Sequence, residues 1–484
     1  MQSSGLPLVE TPDVLIVGAG VIGTSIAMAL SHLDVDVAVV ERRHDVGEET
    51  SRANSGIANC GWSLAPGSLE AQLVCASSPR WEDIASRLGG TFRRVGLTLL
   101  AFSEEEASGI SALCERATEN GVTVREVRGD ELAEVAPHAS GRAVAGIYVP
   151  DEGVVDSVRL PVAFAELASV NGVRFYLGES VVSASLGNGQ VEEVLTTKRR
   201  FRPRFVVNAA GLGADFVSKS LGGDEFSITP RRGQWVLLDR EFGKRVPSIL
   251  TGMPGKLGHG PMVIPTAHGS VLIGPDAEDL EDKTDKSTTG AGLDDVVDRC
   301  RVLMPDIDTK FAIKTFAGLR PHSDKTYRVG WSETAGNLLQ AAGIRSTGVS
   351  SSLAMGDHIR DLLVGAGLSD RLDAGARNDL EYTPPLWADG DYARVAQDPL
   401  GRTVVCACEK VTAADIHQAL REPLPATSIG GVARRTHATW GRCQGSACLS
   451  GVSFITSLYT PGEAWETPMH EPGSTLGAGV TTGE

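Results

Sequence analysis

Four cysteines close to the C-terminus carry the most specific chemistry in this sequence. Cys406 and Cys408 form C-x-C, Cys443 and Cys448 form C-x4-C, and 34 residues separate the pairs. Thiolates in such a set can hold zinc or an iron–sulfur cluster, and structural zinc favours C-x2-C knuckles that are absent here. A second set lies near the N-terminus, where Gly18, Gly20 and Gly23 spell G-x-G-x-x-G and Glu41 follows eighteen positions after the last glycine. In that spacing the first glycine makes a tight turn and the second lets backbone approach a pyrophosphate. The third lets helix pack on strand, and the acid receives a ribose hydroxyl. A helix N-terminus then faces the phosphates.

The elements needed to position these residues are readable. DVLIV before the glycines is a short apolar strand, TSIAMALSHL after them has helical spacing, and DVDVAVVE returns as a second strand. The loop ERRHDVGEETSRANSG is rich in glycine and hydroxyls, and a second strand-turn recurs as VVNAAGLGAD at 206–215. Two contact points suit FAD better than NAD, and no second G-x-G-x-x-G follows to build a separate NAD domain. Helical patterns are expected at 69–88, 104–120 and 160–170, and strands at 145–149 and 204–211. From Pro230 to Gly274 the text turns β-rich, as in QWVLLD, PMVIPT and SVLIGP, which predicts an antiparallel sheet carrying a substrate site. SSLAMGDHIRDLLVGAGL closes this first body as a helix. A polar, proline-bearing linker is expected at 369–401, the cysteine module at about 402–458, and a flexible tail at 459–484.

The bulk properties set limits. A length of 484 residues with 42% apolar content suits two to three packed domains. The formal charge of −16 argues against a nucleic-acid partner, which needs a basic face. No run approaches the roughly 20 apolar residues that span a bilayer, and MQSSGLPLVETPD has no secretory pattern, so a cytoplasmic location is expected. Eight cysteines are too sparse for a disulfide scaffold; Cys60, Cys75, Cys114 and Cys300 read as small buried hydrophobes, with Cys60 near the cofactor.

The ordered series TSRANSGIANCGW, GVVDSVRLPVAFAE, FVVNAAGLGAD, ITPRRGQWVLLD, VLIGPDAED, FAGLRPHSD and AAGIRSTGVSSS, following the glycine motif, resembles the D-amino-acid-oxidase superfamily of FAD oxidoreductases. Within it the series is most similar to the FAD subunit of anaerobic-type glycerol-3-phosphate dehydrogenases and to L-2-hydroxyglutarate dehydrogenases. VVCACEKVTAADI with GRCQGSAC resembles the bacterioferritin-associated-ferredoxin-like [2Fe-2S] module, also appended to opine, proline and glycine dehydrogenases. These resemblances imply an α/β protein with a Rossmann-like FAD domain (about 12–60, 145–215 and 315–368) interleaved with an α+β substrate domain (about 61–144 and 216–314). A small helical iron–sulfur domain completes it.

On the N-terminal motif the implied FAD contacts are Gly18, Gly20, Val21, Ile22, Gly23, Glu41, Arg42, Thr50 and Ser51, and then Asn54, Ser55, Gly56 and Ile57 along the isoalloxazine. Val182, Ala210, Gly211, Gly343, Gly348, Val349 and Ser350 complete the set; a helix N-terminus at the last three would stabilise charge on the reduced flavin pyrimidine. Cys406, Cys408, Cys443 and Cys448 are the implied cluster ligands.

Arg320 in GLRP matches a position that binds the substrate's anionic group, a task its planar fork suits. Relatives carry histidine where this chain has Asn59, and an amide cannot act as a general base. For an alcohol substrate the candidate bases are therefore His322 and His259. The expected function is hydride transfer from a small anionic hydroxy compound to FAD, with electrons passing through the cluster to a partner flavoprotein or accessory subunit. Asn59 leaves room for an amine or amino-acid dehydrogenase, and a chain serving only electron transfer is the alternative of another class.

Overall fold

The computed structural model describes residues 9–476 except 256, 257, 259, 325, 326, 381–396, 422 and 462. Val14–Val17 and Val37–Glu41 are buried along their whole length, as continuous apolar runs must be inside a parallel sheet covered on both faces. They form the middle of a six-stranded sheet in the order 174–177, 37–41, 14–17, 205–208, 338–342, 328–331, parallel except for the last pair. Helix Val21–Leu30 covers one face and is itself buried at all ten positions, packed between helices Arg159–Val170 and Gly348–Gly365. That approach requires Gly356, whose added Cβ would lie 2.6 Å from the Ser25 carbonyl oxygen. A meander at 181–201, extended by Val9–Glu10, packs on the other face through Val181, Val194 and Phe201.

The second layer is a nine-stranded sheet built on the long pair Thr229–Leu238 and Ala312–His322. It is mixed rather than purely antiparallel, because Ile249–Gly252 runs parallel to Leu97–Ala101. Two segments expected in the FAD part belong here instead. Ala145–Val149 pairs with Leu97–Ala101, and Ala312–His322 with Thr229–Leu238, so the chain leaves the second layer a few residues later each time than the segment boundaries implied. Two expected helices are broken. The 69–88 run gives Leu69–Ser77 and Trp81–Arg87 around a turn at Pro79, which has no N–H to continue a helix; the 104–120 run breaks at Gly109.

The cysteine module comprises short strands Val404–Cys406 and Val411–Thr412 and helices Ala413–Ala419, Ile429–Thr436 and Leu449–Ser457 around its own core of Ile416, Ile429, Val432 and Val452. Part of the expected tail is ordered. Pro468 and Met469 carbonyls accept from the Ile429 and Gly430 N–H groups (2.9 and 2.8 Å), satisfying donors that a helix start leaves free, and Thr467 is buried. Of the expected linker, 369–380 is pinned: the Asp34 N–H donates to the Arg371 carbonyl and the Asp373 N–H to that of His32. Residues 381–396 lie outside the described ones.

Candidate functional site

The N-terminal candidates converge at the C-terminal ends of the parallel strands, where open α/β sheets bind their ligands. Gly18 has φ 105°, and a Cβ there would sit 2.5 Å from the Ala209 carbonyl oxygen; one on Gly23 would sit 1.9 Å from that of Gly18. The Val21 N–H donates to Ser51 Oγ at 2.9 Å, and Glu41 accepts from the Ala19 and Arg43 N–H groups at 2.8 and 2.7 Å. Burial raises the Glu41 pKa despite these bonds.

Ser350, at the start of helix Gly348–Gly365, accepts from the Asn59 N–H (3.0 Å) and donates to the Ile57 carbonyl (3.1 Å), tying the two expected isoalloxazine segments together. Neither helix Val21–Leu30 nor Gly348–Gly365 is capped by its own N-cap side chain, leaving backbone donors for an anionic group, as FAD requires. Thr50 donates to the Leu319 carbonyl, Asn54 closes a turn onto the Gly56 N–H, and Ser55 accepts from the Ile57 N–H. Gly211 has φ 55° with open space at its Cβ position, and Gly343 has φ 65° beyond strand Leu338–Ala342. Ile22 and Val349 are buried at their helix starts; Arg42 pairs with Glu49 at the surface, and the Val182 side chain is 49% exposed.

Arg320 and His322 share one face of strand Ala312–His322, and Arg231 is the cross-strand neighbour of Arg320. Arg320 donates only to backbone carbonyls, those of Arg231, Arg232 and Asp276 (3.3, 2.9 and 2.9 Å), and has no carboxylate partner among the described residues. Burial and the Arg231 charge lower its pKa to about 10. Burial and the same arginine also depress the His322 pKa. His259 lies outside the described residues.

Asn59 is engaged by a residue that sequence reasoning missed. Its Nδ2 donates to Glu152 Oε1 (2.9 Å), and the Cys60 N–H donates to Glu152 Oε2 (3.0 Å). Glu152 is fully buried, and burial raises its pKa to about 7. Its only signal was an acid in PDEGVVD, with nothing local to announce its partner.

The four module cysteines form no disulfide and are close enough to influence one another electrostatically, Cys406 with Cys448 and Cys408 with both Cys443 and Cys406. Among the described residues the sole trio of ligand atoms mutually within 4.8 Å is elsewhere, so the sulfurs do not converge on one point. A tetrahedral zinc with Zn–S about 2.3 Å would hold all four sulfurs about 3.8 Å apart. Four thiols gathered more loosely than that fit the wider ligand spread of a two-iron cluster. The Ala447 and Gly445 N–H groups draw the Cys443 pKa down to about 7, favouring the ligating thiolate. Of the remaining cysteines, Cys60 and Cys300 are buried, whereas Cys75 and Cys114 are partly exposed.

The module docks on the flavin body through charges. Arg434, 1% exposed at its side chain, donates to Asp45 (2.6 Å) and Glu48 (2.7 Å); Arg435 donates to both Asp45 oxygens (2.8 and 3.2 Å). Burial would raise the Asp45 pKa, yet Arg435 and Arg434 pull it down to about 2. Arg240–Glu409 and Arg442–Asp239 pairs flank the contact. A cavity of about 660 Å³ lies between body and module, with Arg52, Ser55, Lys314 and Phe316 on one side and His437 and Trp440 on the other.

The fold and site define a flavin-dependent oxidoreductase: the chain belongs to the FAD dependent oxidoreductase family, whose profile matches residues 13–362, and residues 404–455 match the BFD-like [2Fe-2S] binding domain. FAD and a [2Fe-2S] cluster are therefore its cofactors. Over 479 residues it is 33% identical to a glycerol 3-phosphate dehydrogenase of Caloramator mitchellensis, covering 98% of this chain and 99% of that one. It is 24% identical to the anaerobic glycerol-3-phosphate dehydrogenase subunit A1 of Haloferax volcanii, over 91% of this chain and 81% of that protein. The FAD-bound L-alpha-glycerophosphate oxidase of Mycoplasma pneumoniae superposes with a TM-score of 0.72 at 26% identity, covering 77% of this chain and all of the other. Among the described residues no helix is long and apolar enough to cross a membrane.

Proposed function

We propose that this chain oxidises the secondary alcohol of a small anionic compound, glycerol 3-phosphate in the first instance, and passes the electrons through its cluster to a partner protein. The observation that carries the reading is an arginine without a carboxylate partner among the described residues, beside a histidine on the same strand face. Arg320 receives the anionic group, with Arg231 adding positive potential. His322 accepts the hydroxyl proton as the C–H bond is broken, a role that needs a neutral imidazole. Glu152 fixes the Asn59 amide and the Cys60 backbone, and Ser350 holds the same loop from the other side. When bound, FAD supplies a two-electron acceptor and the cluster a one-electron outlet. Whole-length similarity to a glycerol 3-phosphate dehydrogenase supports the substrate, and similarity to a protein named as a subunit supports assembly with a partner.

The test is anaerobic flavin bleaching at 450 nm with glycerol 3-phosphate, L-2-hydroxyglutarate, L-proline and glycine. Rapid bleaching by glycerol 3-phosphate with slow or absent response to the amines is expected. Faster reduction by an amine would refute the assignment in favour of the amine reading.

A further inference from the structure

Asp156, His268 and His437 come from three separate parts of the chain: the loop before helix Arg159–Val170, the turn between strands Met262–Pro265 and Val271–Gly274, and the cysteine module. They meet on the wall of the cavity between body and module. His268 Nε2 and His437 Nε2 each lie 3.0 Å from Asp156 Oδ2, and the three ligand atoms fall mutually within 4.8 Å.

From this geometry we infer that Asp156, His268 and His437 form a binding site for a divalent first-row transition metal, with open coordination positions facing the cavity. Ligand atoms about 2.05 Å from such an ion are separated by about 2.9 Å when they occupy adjacent octahedral corners and by about 3.3 Å at tetrahedral corners. Both Asp156-to-histidine contacts are hydrogen-bond distances that adjacent octahedral corners also allow. Two imidazoles and one carboxylate on one face of an ion leave the opposite positions free for exogenous ligands.

The carboxylate is oriented as a metal ligand is. Asp156 Oδ1, the oxygen turned away from the histidines, accepts from the Val158 and Arg159 N–H groups at 3.2 and 3.1 Å, which fixes the plane of the carboxylate. His437 carries its imidazole from a left-handed backbone, φ 63°, at the end of helix Ile429–Thr436. A non-glycine residue pays for that conformation, and such strain collects where a side chain must be aimed. The cavity also selects what can join the ion. Its acids are already paired, Glu49 with Arg42, Arg43 and Lys286, and Glu409 with Arg240. Arg52 and Lys314 have no ion pair among the described residues and face the same space. An exogenous ligand completing the coordination sphere is therefore anionic.

The experiment uses the full chain loaded with FAD and cluster, treated with a mild chelator, and titrated with Co²⁺ as the probe. One Co²⁺ per chain is expected, with the weak visible d–d bands of five- or six-coordination and no sulfur charge-transfer band. His268→Gln and His437→Gln, placed on different modules, should each weaken Co²⁺ binding by more than about tenfold, since even outer-shell changes cost about 10- to 100-fold. His417→Gln, elsewhere on the cysteine module, should leave it unchanged. No Co²⁺ bound, equal binding by both site variants and the wild type, or a thiolate charge-transfer signature would each overturn the site. Flavin fluorescence of every variant, matched to the wild type, guards against misfolding as the cause of a loss.

Discussion

Asp45 offers a quantitative handle on how the cluster module is held. Replacing it by asparagine keeps its size and an acceptor oxygen but removes the charge that two arginines share, so Asp45→Asn approximates the protonated acid. A fall in pKa from 3.8 to about 2 corresponds to about 2.5 kcal/mol of preference for the charged form in the docked state. Asp45→Ala, which strips both arginines of a buried partner, should cost about 3–5 kcal/mol. With a urea dependence of about 1–3 kcal/mol/M, Asp45→Asn should lower the midpoint of the module's transition by about 1–2 M. Circular dichroism of the cluster bands follows the module, and flavin fluorescence follows the body. A depressed carboxylate gives stability that is complete above the unfolded pKa and disappears as pH falls through the folded one. The deficit of Asp45→Asn should thus be constant from pH 5.5 to 8 and shrink only between pH 3.8 and about 2. A midpoint shift below about 0.3 M, or a deficit that grows with pH above 6, would refute the docking role.

Other expectations concern the reacting residues and ligands. His322→Gln should reduce kcat for an alcohol substrate by about 10²- to 10⁴-fold with little change in KM, measured with a dye acceptor; an unchanged kcat would remove it as the base. The Glu152 pKa is raised from 4.5 to about 7, so wild-type stability should decline as pH rises through that window, and Glu152→Gln should flatten the profile in calorimetric scans from pH 4.5 to 7.5. Cys443→Ser should abolish the cluster's visible absorption while leaving flavin absorption and substrate-driven bleaching in place. Retention of a full cluster spectrum would show that another residue ligates.

The features legible in the sequence are those whose partners lie nearby in the chain. Gly18, Gly20 and Gly23 announce a turn through their close spacing, although the Ala209 carbonyl that a Cβ on Gly18 would meet lies far along the chain, and the cysteines announce a ligand set through short spacing. Arg320 was legible through the resemblance carried by GLRP and His322 as its near neighbour, while the strand that puts them on one face was not read from the sequence. Glu152 was not, since its partners Asn59 and Cys60 lie more than ninety positions away and no periodicity links them. Asp45 and Glu48 hide in a loop that reads as cofactor-wrapping, yet both receive Arg434 from nearly four hundred positions later. The misplaced strands fail for a related reason: Ala145–Val149 looks the same in sequence whichever sheet it joins, and only pairing with Leu97–Ala101 decides. Segment 463–476 reads as unstructured because it has no core of its own, and takes its order from hydrogen bonds to helix Ile429–Thr436.

The frequent crossing between the two large sheets has a consequence for how such a protein can be taken apart. No single cut frees the flavin layer from the β-rich layer, because each is assembled from several stretches of chain that alternate along it. The cysteine unit is different, being one uninterrupted stretch with a core largely its own, which Leu424 alone leaves to join that of the flavin layer among the described residues. Its arginines plug into a two-pronged socket of Asp45 and Glu48, and the Arg240–Glu409 and Arg442–Asp239 pairs clasp it from the flank, so an exchange of the unit between hosts must carry the whole charged seam with it.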